Sequence, residues 1–230
     1  MKCLQTIVLV LLTQICHAQQ WDFGGGASVG APLIYNAYVG SNHHADKSLG
    51  AEYIMRYLPP NLSFYPQLTI GISGNEIPVM KYDDLVIQMY LMEIEAILSA
   101  RLVYNIADGK EFHYGMGLGA LYYQSEGVSI AIKGNDLGFY TSNGNDVSGW
   151  QPAANVSCEY INKISKKKPA YCGLGFRLGY TYFSNTSPTL NAGISSPTIP
   201  GTQITVGPKG NMVTPLLHLS FYYRLGERLY

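Results

Sequence analysis

The residue types needed for hydrolytic chemistry are present in this chain: His113 and His218, the serines Ser99, Ser157 and Ser220, and the carboxylates Glu93 and Glu95. Acyl transfer needs a nucleophile, a base and an orienting acid to converge on one point. Nothing in the spacing of these residues assembles such a triad, and a single inward histidine is more often a hydrogen-bonded interior group than a base. No catalytic residue is therefore assigned. His43-His44, with Asp46 close behind, could touch a metal, but adjacent residues on a loop make a poor ligand set, so neither a metal nor any other cofactor is expected. Cys158 and Cys172 lie symmetrically about Ser165. If they face each other across a hairpin they could form a disulfide, and if they stay reduced they serve as two small apolar side chains.

The elements that carry these residues are legible in period-2 patterning, since successive side chains of a strand point to opposite faces. Over residues 90–104 the even positions are Tyr90, Met92, Ile94, Ala96, Leu98, Ala100, Leu102 and Tyr104, while Glu93, Glu95, Ser99 and Arg101 are odd. Residues 61–73, 112–123, 171–183 and 213–225 alternate in the same way, and 21–35, 48–57 and 152–162 do so less regularly. This predicts eight strands. A span of that length crosses a bilayer at barrel tilt, for which ~9–11 residues suffice. Aromatic residues cluster at the strand ends, where the two interfaces would lie. The connections alternate: Pro59-Pro60-Asn61, Ile106 to Lys110 and Lys163 to Lys168 are short, whereas 36–47, 74–89, 124–151 and 184–212 are long. Short turns on one side and long loops on the other are the asymmetry of an outer-membrane barrel.

Composition points the same way. Charged residues make up only 13% of the chain, beside 19 Tyr and 25 Gly, and soluble domains carry about 25% charge. The first eighteen residues, MKCLQTIVLVLLTQICHA, read as a secretory signal peptide with an apolar run too short to span a membrane as a helix. The expected organisation is thus 1–18 signal and 19–230 one barrel domain. The 15 basic and 15 acidic residues cancel, which argues against nucleic acid as a partner.

Parity places Asp22, Glu52, Glu93, Glu95 and Glu159 inside, with Arg56, Arg101, Arg177 and Arg224. An eight-stranded barrel has room inside only for side chains, and burying such charges singly is costly. The expectation is a paired charge network that blocks the lumen, with a proton or small-ion path as the alternative. A soluble barrel would carry the same alternation with its apolar face inward. It is disfavoured because the polar face here is Gly, Ser and Thr rather than the Lys and Glu of a solvated strand.

With its eight alternating strands, the Gly-rich run Tyr114-Gly-Met-Gly-Leu-Gly-Ala120 and the aromatic-rich end Phe221 to Tyr230, the chain resembles the small outer-membrane β-barrels of Gram-negative bacteria, the OmpA/OmpX-like family. The resemblance implies an all-β, up-and-down transmembrane barrel in outer-membrane lipid. It also implies that the barrel-assembly machinery reads the C-terminal aromatic Tyr230. No appended periplasmic domain is read, so a wall-anchoring role does not carry over. Function is expected to be non-enzymatic, structural or surface-binding through the long loops. Phe139, Tyr140 and Trp150 are possible contacts there with a partner that the sequence does not name. A lipid-modifying enzyme on the same fold and a soluble periplasmic ligand-binding barrel are the rivals.

Overall fold

β-Branched and aromatic residues at alternate positions, punctuated by Pro-Pro, Asp-Gly and Lys-rich turns, leave antiparallel strands as the arrangement that satisfies the backbone. A computed structural model describes residues 20–35, 43–44, 48–59, 63–82, 85–125, 128–132, 135–137, 147–184, 190–194 and 202–226. The signal segment and Tyr230 lie outside these. Eight long strands follow in chain order: β1 (Gln20–Gly30), β2 (Ser48–Leu58), β3 (Phe64–Tyr82), β4 (Leu85–Ala107), β5 (Lys110–Ser125), β6 (Val147–Lys163), β7 (Ala170–Phe183) and β8 (Gly210–Leu225). Each pairs antiparallel with the next, and β8 pairs back onto β1, from Trp21 with Leu225 to Gly30 with Leu216, so the sheet closes on itself. Closure leaves the ring without a free edge between its first and last strands, which backbone needs wherever water is absent.

The two faces are chemically opposite. Leu49, Ile72, Leu98, Leu118, Leu174 and Leu217 point outward and stay exposed, Leu118 at 73%. Asp22, Arg56, His113, Glu159 and Ser220 point inward, each with at most 1% of its surface accessible. A soluble barrel reverses this order. An apolar outer surface around a charged interior is what a surrounding hydrocarbon medium selects. At the rim carrying the short turns, Tyr104 pairs with Phe112 and Phe112 with Tyr160, and Trp21 packs on Tyr57 with ring centroids 5.0 Å apart. Toward the opposite rim, Tyr122 pairs with Trp150, centroids 5.2 Å apart. On β5 the two belts are set by Tyr114 and Tyr122. Eight residues at ~3.3 Å each, tilted by ~40°, span about 20 Å along the barrel axis.

Three expectations need correction. First, residues 74–89 are not a long loop: β3 and β4 stay paired out to Tyr82 and Leu85, with one bulge between Pro78 and Met80. The outward-apolar rule fails there because the hairpin has left the hydrocarbon belt. Its inward side chains become apolar instead: Ile77, Met89 and Leu91 are buried, as are Tyr123, Phe183 and Met212 on other strands of the ring. Second, the expected strand 21–35 is interrupted at Ala31-Pro32 and resumes as Leu33–Tyr35, still along β8. Proline cannot donate to the ladder, and the break falls at that residue.

The third correction concerns the cysteines. The hairpin between β6 and β7 centres on Lys167 rather than Ser165, because the Ser165 hydroxyl accepts from the backbone N–H groups of Lys167 and Lys168 and sets a wider turn. Cys158 therefore faces Phe176, and Cys172 faces Asn162. Four residues of offset separate the thiols by about 13 Å along the strand. A disulfide needs Cα atoms within about 7 Å, and both thiols are free.

Candidate functional site

The inward face is where the chain concentrates its chemistry, and glycines make the room for it. A β-carbon on Gly173 would run into the Glu159 carboxylate and the Ser220 hydroxyl, and one on Gly175 would run into the His218 ring. The polar interior thus depends on missing side chains as much as on present ones.

Three tiers of charge fill the lumen. Nearest the short-turn rim, Arg224 bonds Asp22 through Nε at 2.7 Å and Nη2 at 3.0 Å. It also bonds Glu111 through Nη1 at 2.6 Å and Nη2 at 2.9 Å. Two fork-like contacts to carboxylates are the strongest geometry a guanidinium has, and its flat face lies 4.3 Å from the centroid of the Tyr171 ring. Glu111 also takes His113 Nε2 at 2.8 Å, and the other ring nitrogen of His113 meets the Tyr65 hydroxyl.

In the middle tier Arg56 pairs with Glu159 and donates to Gln67 at 2.7 Å and to the Tyr222 hydroxyl at 2.7 Å. Glu159 in turn accepts from Tyr222 at 2.5 Å and from Ser220, with His218 3.6 Å away. Arg101 donates only to the His113 carbonyl, at 3.4 Å, and forms no ion pair among the described residues. The outer tier is Arg177, which reaches Glu52 at 2.8 Å and Glu95 at 3.0 Å. Glu93 stands beyond it, buried beside Asn75 and Ser73.

All nine inward charges assigned from parity lie inside the barrel, and seven of them form ion pairs. Among the described residues Arg101 and Glu93 are the two without one. Glu111 was not assigned although it shares the parity of His113. Tyr65 and Tyr222 fall on the polar face by parity, Tyr65 with Gln67 and Thr69 and Tyr222 with Ser220 and Arg224, and the structure buries both inside the barrel. Glu111 could have been found by extending the alternation of β5 one step toward the turn. The bonds that the two tyrosines make could not, because parity gives the face of a side chain and not its partner.

The hydrolase candidates do not converge. His113 is held between Glu111 and Tyr65 with no exposed surface, His218 points at Glu159, and the Ser220 hydroxyl donates to Glu159 and not to a histidine. Residues 43–44 pair with Leu33 and Ile34, and their side chains lie outside the described residues. Among the described residues no cluster of three or more His, Cys, Asp or Glu is arranged for a metal. Phe139 and Tyr140 also lie outside them, and Trp150 is exposed on the outer belt.

No protein-family model and no curated protein sequence matches the chain. Among solved structures it is similar to Ail, the attachment invasion locus protein of Yersinia pestis, crystallised with the heparin analogue sucrose octasulfate. The two are 9% identical over 90% of this chain and 99% of that one, with a TM-score of 0.47. It is also similar to neisserial surface protein A, at 10% identity, 87% and 96% coverage and TM-score 0.45. The outer membrane protein OprG of Pseudomonas aeruginosa matches at 11% identity, 90% and 96% coverage and TM-score 0.43.

Proposed function

We propose that this chain is a non-enzymatic β-barrel of a Gram-negative outer membrane, acting at the surface through the segments that join its strands at the outer rim. The observation that carries the reading is the opposition of faces: leucines and aromatics outside, a bonded charge network inside. Such a barrel is stable in lipid and closed to solutes. Three Arg-centred tiers block the lumen at three heights, and replacing any of them by water would strand buried charge. What remains available to a partner is the outer rim, where β3 and β4 extend to Tyr82 and Leu85 and the short pairs Val128–Ile132 with Asn135–Leu137 and Leu190–Ile194 with Thr202–Val206 add to it. Outer-membrane lipid surrounds the belt, and the assembly machinery for such barrels would deliver the chain there.

The test is expression with fractionation, followed by an unheated gel of the membrane fraction. Recovery in the outer membrane with a heat-dependent shift in mobility is expected. Release into a soluble fraction would overturn the reading. A lipid-modifying activity is the rival on the same fold. If His113→Ala or His218→Ala abolished an activity on envelope lipids while the heat shift persisted, the non-enzymatic reading would fail.

A further inference from the structure

The inward charges do not balance at every height. Toward the short-turn rim Asp22, Glu111 and Glu159 meet Arg224, Arg56 and Arg101, three of each sign. Toward the outer rim Glu52, Glu93 and Glu95 face Arg177 alone, which leaves two more carboxyl groups than cations there among the described residues. Glu93 is 4% exposed. One of its oxygens accepts from Asn75 Nδ2 at 2.5 Å and from the Ser73 hydroxyl at 3.4 Å. Its other oxygen, Oε1, has no partner, and neither has Oδ1 of Asn75, a side chain only 1% exposed.

Both orphan atoms are acceptors, and both side chains line one cavity of about 30 Å³ that Glu95 and Ser73 also border. That is room for one ion or a water molecule or two. Rotating the Asn75 amide does not help, because it would set a carbonyl oxygen against the Glu93 carboxylate. Water would fill the space, whereas a cation would meet both acceptors and also offset the surplus of carboxyl groups. We propose that this cavity holds a single hard divalent cation of the calcium class, bound between Glu93, Glu95 and Asn75. The donors are all oxygen, which excludes a preference for zinc or copper. The irregular set of two carboxylates and an amide oxygen suits the loose coordination of calcium better than the strict octahedron of magnesium.

The test uses the full chain folded in detergent micelles and equilibrium dialysis against radioactive calcium chloride. Saturation at one calcium per chain is expected, with affinity reduced at least tenfold in Glu93→Gln and clearly weakened in Asn75→Ala. Absence of saturable binding by the native chain up to millimolar calcium would overturn the proposal without reference to any variant. Undiminished binding in a folded Glu93→Gln or Asn75→Ala chain would overturn it as well. Should Glu93→Gln not fold, Asn75→Ala, which removes no charge, decides. Displacement of the ion by sodium chloride at concentrations equal to those of calcium would sink the divalent assignment. The heat shift of the same samples reports barrel closure separately, so failure here is distinguishable from failure of the membrane reading.

Discussion

Arg224 illustrates how much one residue can hold. It reaches Asp22 on the neighbouring strand β1 and Glu111 on the far side of the lumen. Removing the guanidinium by Arg224→Ala would leave two carboxylates buried without a cation. Breaking a buried pair costs about 3–5 kcal/mol, so urea unfolding of the variant in detergent should show a loss of at least that size. Asp22→Asn in the same background should recover part of it, since the stranded charge goes with it. The cysteines give a second prediction at this scale. Because Cys158 faces Phe176 and Cys172 faces Asn162, intact mass spectrometry of the denatured, unreduced chain should show two alkylated thiols on the residues from 20 onward. A mass two hydrogens lighter that resists alkylation would contradict the register.

At the scale of the strand, depth decides what a substitution costs. Leu98 lies outward on β4 between Tyr90 and Tyr104, 62% exposed to the surrounding medium. An arginine at the bilayer midplane destabilises a barrel by about 2–4 kcal/mol and near an interface by only ~0–1. Leu98→Arg should therefore unfold at markedly lower urea than Tyr90→Arg, and equal midpoints would show that the belt is misplaced. The same dependence on depth explains what the sequence revealed and what it hid. Within the belt the alternation is strict, and residues 90–104 or 171–183 could be placed face by face. Above the belt water replaces lipid, the inward face turns apolar at Ile77, Met89 and Leu91, and the pattern that marks a membrane strand ends although the strand does not. Of the interior, charges were legible because they stand out against an apolar background. Parity also turns Tyr65 and Tyr222 inward, but it does not name His113 and Glu159 as the groups they bond. The unpaired acceptors of Glu93 and Asn75 depend on side-chain direction, which no parity count contains.

For the whole molecule the proposed function makes the three tiers a plug. Arg224, Arg56 and Arg177 each bind carboxylates from other strands of the ring, so the barrel wall is cross-linked through its interior as well as along its ladders. Planar bilayers containing the purified protein should show no steady ion current. A resolved open level for the native chain would mean that the network yields to permeant ions. Double replacement of Arg56 and Glu159 by alanine removes the middle tier but leaves Arg224 and Arg177 in place, and is expected to lower stability without opening a conducting path.

The seam between β1 and β8 sets a condition on how the molecule can form. Asp22 and Arg224 are 202 residues apart in the chain, and their strands meet only after everything between them has been made. Contacts of such long range form slowly. Until that meeting, β1 and β8 each present an unpaired edge, and the leucine and tyrosine surface has no lipid around it. An unpaired edge beside an apolar face is a template for aggregation. The chain is therefore most vulnerable during its passage to the membrane, and an escort that covers the apolar face through that interval is as much a requirement of this fold as the lipid that receives it.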